Sequence, residues 1–264
     1  MTLLLSRTGL LRSLLFSAVA LLAAQVAWAG GCPAHYVDGR LPEIRNPKMN
    51  IETRELCYEV FGVMHSGLTR TPLWSAEHLT AEHVEAAKTL SRENAFHAEE
   101  ELPPSQRAEL IDYARSGFDR GHMAPNGDMP DRESQHESFT LANMVPQDAN
   151  NNRHVWAGIE GAVRQMTLRE GDLYVVTGPA FLGADLHKVG HVLVPSHLYK
   201  MVYSPRRHAG AAYFIENRAD AVAQVISIAD LESRIGIDLL PSLPEKQKQA
   251  MLSLPKIRAG KAHS

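Results

Sequence analysis

Apolar residues recur along the chain with two different periods. Val155, Ile159, Val163 and Met166 follow at spacings of four, four and three, the stripe of a helix that packs one face. Asn151 or Asn152 opens this helix, which is expected to run to about Arg169 and to stop at Gly171. A shorter helix is predicted from Thr80 to Lys88, with Glu82 and Glu85 suited to its positive end. Another is predicted from a Ser105 cap to Arg115, ended by Gly117, and a helical turn from Asp131. A last one begins at Ser227 or Asp230 and ends near Gly236. Alternating or dense apolar runs at 57–63, 68–77, 173–177, 191–194, 198–203 and 211–215 read as strands, the run at 173–177 ended by Gly178-Pro179. Residues 118–123 are short and look buried, and 91–104 are polar and read as loop. Strands and helices mix without regular alternation, which favours an α+β fold over a doubly wound sheet.

The two ends differ from this pattern. Arg7 and Arg12 precede an apolar stretch at 13–26, and Ala27-Trp28-Ala29 is a small-x-small cleavage signal, so residues 1–29 read as a signal peptide. The stretch is short for a membrane span, which needs about 20 residues. Export puts the two cysteines, Cys32 and Cys57, in an oxidising compartment, periplasmic or extracellular, where they are expected to pair. Residues 30–54 lack periodicity and read as an N-terminal arm, 55–244 as one domain, and 245–264 as a basic, solvated tail. Loss of the signal leaves 25 basic against 30 acidic side chains. That balance argues against a sequence-independent nucleic-acid coat, but not against an enzyme with a local basic cleft.

The candidate chemistry clusters at Asp119-Arg120-Gly121-His122, with Asn143 and then Asn152 and Glu160 downstream. Imidazole titrates near neutrality, so His122 is a candidate general base. Arg120 offers a two-pronged fork for phosphate oxygens. Asp119 is expected to pair with an arginine or hold a loop. Asn152 reads either as a helix cap or as an amide-oxygen ligand to a hard divalent cation, with Asn150 and Asn151 as rivals. Glu160 lies eight residues on, about 80° around an α-helix, where it could orient water on such a cation. Trp156 between them is expected in the core.

These residues resemble the DNA/RNA non-specific endonucleases of the ββα-metal, or His-Me finger, superfamily. The resemblance rests on Asp119-Arg120-Gly121-His122, on Asn143-x-x-Pro146-Gln147, and on Asn152-x-x-x-Trp156-x-x-x-Glu160. It extends to Thr71-Pro72-Leu73-Trp74, Asp112-Tyr113, Thr177-Gly178-Pro179 and Val194-Pro195-Ser196 with Lys200, over roughly residues 55–240. It implies a mixed or antiparallel sheet core with flanking helices and a ββα-metal finger. It implies His122 as general base, Asn152 as the Mg²⁺ ligand (Mn²⁺ substituting), and Glu160 as the carboxylate that orients the ion's waters. Arg120 becomes a phosphate-binding arginine and Asn143 an active-site support. A further arginine expected some thirty residues before the histidine is best matched by Arg92. The implied substrates are DNA and RNA, cut with little sequence preference to leave 5′-phosphates. The alternatives are a phosphodiesterase for another ester and an inactive nucleic-acid-binding protein of the same fold.

Overall fold

The computed structural model describes residues 31–257; the signal peptide expected at 1–29 lies outside them, as do the last seven residues of the basic tail. In chain order the strands and helices are β1 (Glu43–Ile44), β2 (Thr53–Cys57), β3 (Gly62–Ser66), β4 (Thr71–Thr80), α1 (Ala81–Ala87), α2 (Leu110–Tyr113), β5 (Phe118–His122) and α3 (Arg132–Ser138). There follow β6 (Met144–Asp148), a π-helical turn (Asn151–Trp156), α4 (Ala157–Glu170), β7 (Asp172–Ala180), β8 (Lys188–Val189) and β9 (Val192–Leu193). The chain ends with β10 (His197–Ser204), β11 (Ala209–Glu216), β12 (Gln224–Ile226), α5 (Ile228–Ile235), β13 (Ile237–Asp238) and α6 (Glu245–Gln249).

The core is a seven-stranded antiparallel sheet in the order β12-β11-β10-β7-β4-β3-β2. Side chains alternate across it. On β10, Leu198 and Val202 point to one face, and Tyr199, Met201 and Tyr203 to the other. The first face packs the π turn through Val155 and α4 through Ile159, Val163 and Met166, so the helical stripe read from the sequence is buried as a unit. The second face is covered by α5 and by the leading segment around Tyr36 and Val37. Both faces are therefore dry, which is why many strand sequences look uniformly apolar. Against the α4 face stands the β5–β6 hairpin, antiparallel with Gly121 opposite Val145 and His122 opposite Met144.

Local signals account for most boundaries. Thr80 caps α1 by accepting from the His83 amide, Asp131 caps α3 through Ser134, and Ser227 caps α5 through Asp230. Gly171 and Gly236 end α4 and α5 with positive φ. Four expectations need correction. The strand expected at 57–63 is two strands, because Tyr58 and Phe61 close a turn between β2 and β3. The helix expected from Ser105 is the single turn α2, capped instead by Glu109 and Asp112 and ended by Arg115 at φ +58°. β7 continues through Gly178-Pro179 to Ala180. The arm contributes β1 and the start of β2 to sheets, and the tail is docked as far as residue 257: Lys248 is buried against Glu232 and Asp238, Leu252 and Leu254 join the core, and Tyr213 donates to Pro255 O at 2.7 Å.

Cys32 and Cys57 are bonded, across 25 residues, and tie the leading segment to the end of β2. Closing a loop of that length stabilises by about 3 kcal/mol through the unfolded chain. Cys32→Ser/Cys57→Ser is expected to lose about that amount in urea unfolding, with the wild type falling to the same level under reductant.

Candidate active site

The hairpin and the helix meet over one cleft of about 840 Å³, lined by Arg92, Phe96, Tyr113, Asp119, Arg120, His122, Asn152, Arg153, Glu160 and Arg164 among others. Five of the six expected site residues line it; Asn143 does not. Asn143 is fully buried and fully bonded. Its amide oxygen accepts from Ser75 Oγ (2.7 Å) and Ala124 N (2.9 Å), and its nitrogen donates to Ala124 O (2.8 Å) and Ser138 O (2.9 Å). It has nothing left to offer a substrate, and its place is to clamp the exit of β5 to the sheet and to α3.

Gly121 is needed for close approach. A Cβ there would sit 2.0 Å from Gln147 Oε1. Gln147 in turn donates to Asn151 Oδ1 at 3.0 Å, and Asn151 donates to Glu216 O and Arg218 O. Asp148 accepts from the Asn151 amide at 2.9 Å. This polar chain seats the start of the helix on β6. It also decides among the asparagines. Asn151 is consumed as an anchor, the helix starts after Asn150, and Asn152 lies inside the π turn, so the cap reading of Asn152 is wrong.

Asn152 is oriented from the strand. Its Nδ2 donates to Asp119 Oδ2 at 3.0 Å, which turns Oδ1 away from Asp119. Asp119 also takes a two-pronged bond from Arg153, at 2.8 and 2.6 Å. Bonds from Arg153 and Asn152 outweigh partial burial and hold the Asp119 carboxyl below its usual range. The π turn matters here as well. One extra residue in the turn makes the eight-residue step from Asn152 to Glu160 behave like seven, so the two side chains align to within about 20° rather than 80°.

His122 is buried, and among the described residues no group hydrogen-bonds to its ring; Nε2 is wholly enclosed. Phe139 meets the ring edge-on at 4.9 Å and Phe96 at 5.6 Å. Burial, then the cations of Arg92 and Arg120, push its pKa down to about 3, so the imidazole is neutral and able to accept a proton. The same two rings hold the arginines: Arg120 lies over Phe96 at 4.0 Å and Arg92 over Phe139 at 5.1 Å. Arg92 is thus brought to the cleft by the loop at 91–100, although that loop has no regular structure.

Behind the cleft is a buried ionic cluster that the sequence reading did not resolve. Arg164 pairs with Asp128 at 2.8 Å, and Lys200 donates to Thr177 Oγ1 at 2.6 Å beside the face of Trp156. Burial, helped by Asp128, raises the Glu77 pKa well above the usual carboxylate range. Burial raises Glu160 too, while Lys200 and Arg164 pull it back. Arg164 was findable, being one helical turn beyond Glu160 on the same face.

The oxygen donors fit a hard divalent cation. Asn152 Oδ1 is freed by Asp119, and the Glu160 carboxylate faces the same cleft without a hydrogen bond among the described residues. Mg²⁺ takes few protein ligands and keeps several waters, which is what this sparse set provides.

A cleft that joins a buried neutral imidazole, arginines set over phenyl rings and hard oxygen donors on a ββα finger suits phosphodiester hydrolysis. More particularly, residues 42–246 match the DNA/RNA non-specific endonuclease family, and the chain belongs to it. It is 34% identical over 206 residues to nuclease C1 of Cunninghamella echinulata var. echinulata, covering 70% of this chain and 82% of that one. It is 28% identical over 268 residues to a mitochondrial nuclease of Saccharomyces cerevisiae, covering 83% and 81%. Among solved structures, EndoG in the EndoG/EndoGI complex superposes with a TM-score of 0.63 at 28% identity, covering 73% of this chain and 88% of that chain. The protein is therefore a nuclease of a metal-dependent family, with the ββα-metal fold. No helix among the described residues is long and apolar enough to cross a membrane.

Two outcomes are expected. His122 binds its proton near 6.5 when unfolded and near 3 when folded, so the unfolded state gains protons first and stability falls as pH drops between those values. In urea unfolding, His122→Gln is expected to lose roughly 2 kcal/mol less than wild type between about pH 7 and about pH 5. Gly121→Ala is expected to cost about 1–3 kcal/mol by calorimetry, because Gln147 must move and release Asn151.

Proposed function

We propose that the protein is an exported, Mg²⁺-dependent endonuclease that hydrolyses DNA and RNA to 5′-phosphate products. What carries this reading is Asp119: it fixes the Asn152 amide so that its oxygen faces the cleft that holds His122, Arg120, Arg92 and Glu160. Asn152 would hold the ion, with Mn²⁺ an acceptable substitute, and Glu160 would fix its waters. The ion, when bound, would supply positive charge to the phosphodiester as the bond to the 3′ oxygen breaks.

The chain's own groups supply the rest. His122 takes a proton from the water that attacks phosphorus, and its dry, aromatic surroundings keep it unprotonated until that moment. Arg120 and Arg92 bind non-bridging oxygens and stabilise the charge that develops there, each held beside a phenyl ring. Asp119 keeps the metal ligand and the base in one frame. Recognition through phosphate oxygens reads no bases, which suits substrates of any sequence. Export is supported by the signal at 1–29 and by the Cys32–Cys57 bond, which persists in a periplasmic or extracellular setting.

The test is cleavage of plasmid DNA and of RNA by the mature protein with Mg²⁺, Mn²⁺ or EDTA. His122→Ala is expected to lower kcat by about 10²–10⁴ with folding intact. Asp119→Ala is expected to raise the Mg²⁺ concentration for half activity by about 10–100-fold, because nothing then accepts from Asn152 Nδ2 and the amide is no longer fixed. Full activity in EDTA would sink the metal assignment, and 3′-phosphate ends would sink the assigned direction of cleavage.

A further inference from the structure

Arg92 stands on the least regular part of the cleft wall. Arg120 and His122 are fixed by the ladder that joins β5 to β6. Residues 91–94, by contrast, are exposed and belong to neither a helix nor a strand. A segment of that kind moves freely unless something ties it. A group that binds the reacting phosphate has to be held within about an ångström.

The ties come from α3. Among the described residues, every hydrogen bond and ion pair that joins 91–94 to another element is made by Arg132 or Gln135. Arg132 spreads its fork over the residues on either side of Arg92. Its Nη1 donates to Ser91 O at 2.6 Å and pairs with Glu93 Oε1 at 3.0 Å, and its Nη2 donates to Ser91 Oγ at 2.9 Å. Gln135 is buried one turn on. Its Oε1 accepts from Glu93 N at 3.2 Å and from Arg132 Nη1 at 2.9 Å. A guanidinium reaches several acceptors at once, where an ammonium is a single point.

The far end of the same helix holds the other end of Arg92. Its C-cap is Phe139, the ring that the Arg92 guanidinium faces at 5.1 Å. The helix is itself pinned to the site, because Asn143 Nδ2 donates to Ser138 O at 2.9 Å. Arg132 is not among the residues that line the cleft. Its side chain is 45% exposed, and bonds made in water add little to overall stability. What they select is one conformation of the segment that carries Arg92.

We infer that Arg132, with Gln135 behind it, is a positioning residue of the reaction: it sets Arg92 where the scissile phosphate binds and touches no substrate itself. The inference rests on the reading of Arg92 as a phosphate-binding group.

The experiment is a pair of double-mutant cycles. For the mature protein with Mg²⁺, kcat and KM on an oligonucleotide are measured for wild type and for Arg132→Ala, Arg92→Ala and Arg120→Ala, alone and with Arg132→Ala added to each of the other two. Urea unfolding is followed alongside. Arg132→Ala is expected to lower kcat/KM about tenfold and to leave the urea midpoint unchanged. Added to Arg92→Ala it is expected to cost no more than about twofold, and added to Arg120→Ala the full tenfold or so. Ser91→Ala/Glu93→Ala removes two of the acceptors from the loop side and leaves α3 intact. It is expected to cost about threefold, again only where Arg92 is present.

Arg132→Ala within about twofold of wild type overturns the proposal. So does an equal loss with and without Arg92, which would mark Arg132 as acting on the substrate or on the fold at large. Arg92→Ala within about twofold of wild type overturns the reading of Arg92, and the positioning role with it. Wild type inert toward the oligonucleotide overturns the reading of the cleft itself.

Discussion

Asp119 is the point at which two elements that fold separately become one site. Its strand carries Arg120 and His122, and its carboxylate grips Asn152 and Arg153 at the head of the helix. Catalysis of this kind tolerates misplacement of only about an ångström between reacting groups. A hairpin of five-residue strands cannot impose that by itself. The remaining devices serve the same frame. Gly121 admits Gln147, Gln147 and Asp148 seat the helix, and Asn143 fastens the hairpin to Ser75 on the sheet.

The frame stands on charge as well as on packing. Ser75, Glu77, Thr177 and Lys200 are polar positions of the sheet buried beneath the finger. Unpaired, such groups would each be expensive. Arg164 and Lys200 stand among Glu77, Asp128 and Glu160, with Arg164 paired to Asp128 at 2.8 Å. An interior of this kind contributes little to net stability. Its effect is local: it leaves a carboxylate at the cleft floor with cations close enough to keep it available.

The residues that line the cleft were far more legible in the sequence than the frame that holds them. His122, Arg120, Asn152 and Glu160 announce themselves by residue type and spacing, and Arg92 by distance alone. The helical stripe and the caps at Thr80, Asp131 and Ser227 are local signals, and local signals survive folding. What failed depended on distant partners. Tyr58, Val60 and Phe61 alternate with Glu59 much as a strand would, so nothing local revealed the turn there. Ser105 is a good cap in isolation, but the pair Glu109 and Asp112, anchored by His191, is a better one four residues later. Lys248 looks like tail until Glu232 and Asp238 are folded beside it. Asp119 looked like a structural acid, and it is one, yet the structure it supports is that of the site.

The π turn at Asn151–Trp156 gives the helix an uneven pitch. In a uniform helix each residue added or removed turns everything before it by about 100°. Here the irregularity works like a fixed phase offset between two gears: Asn152 and Glu160 mesh only because one tooth is out of step. Substitutions along this helix leave the offset alone, whereas adding a single residue between 152 and 160 would swing the amide out of the cleft while every other contact of α4 stayed in register. The chain at this point is therefore tolerant in composition and intolerant in length.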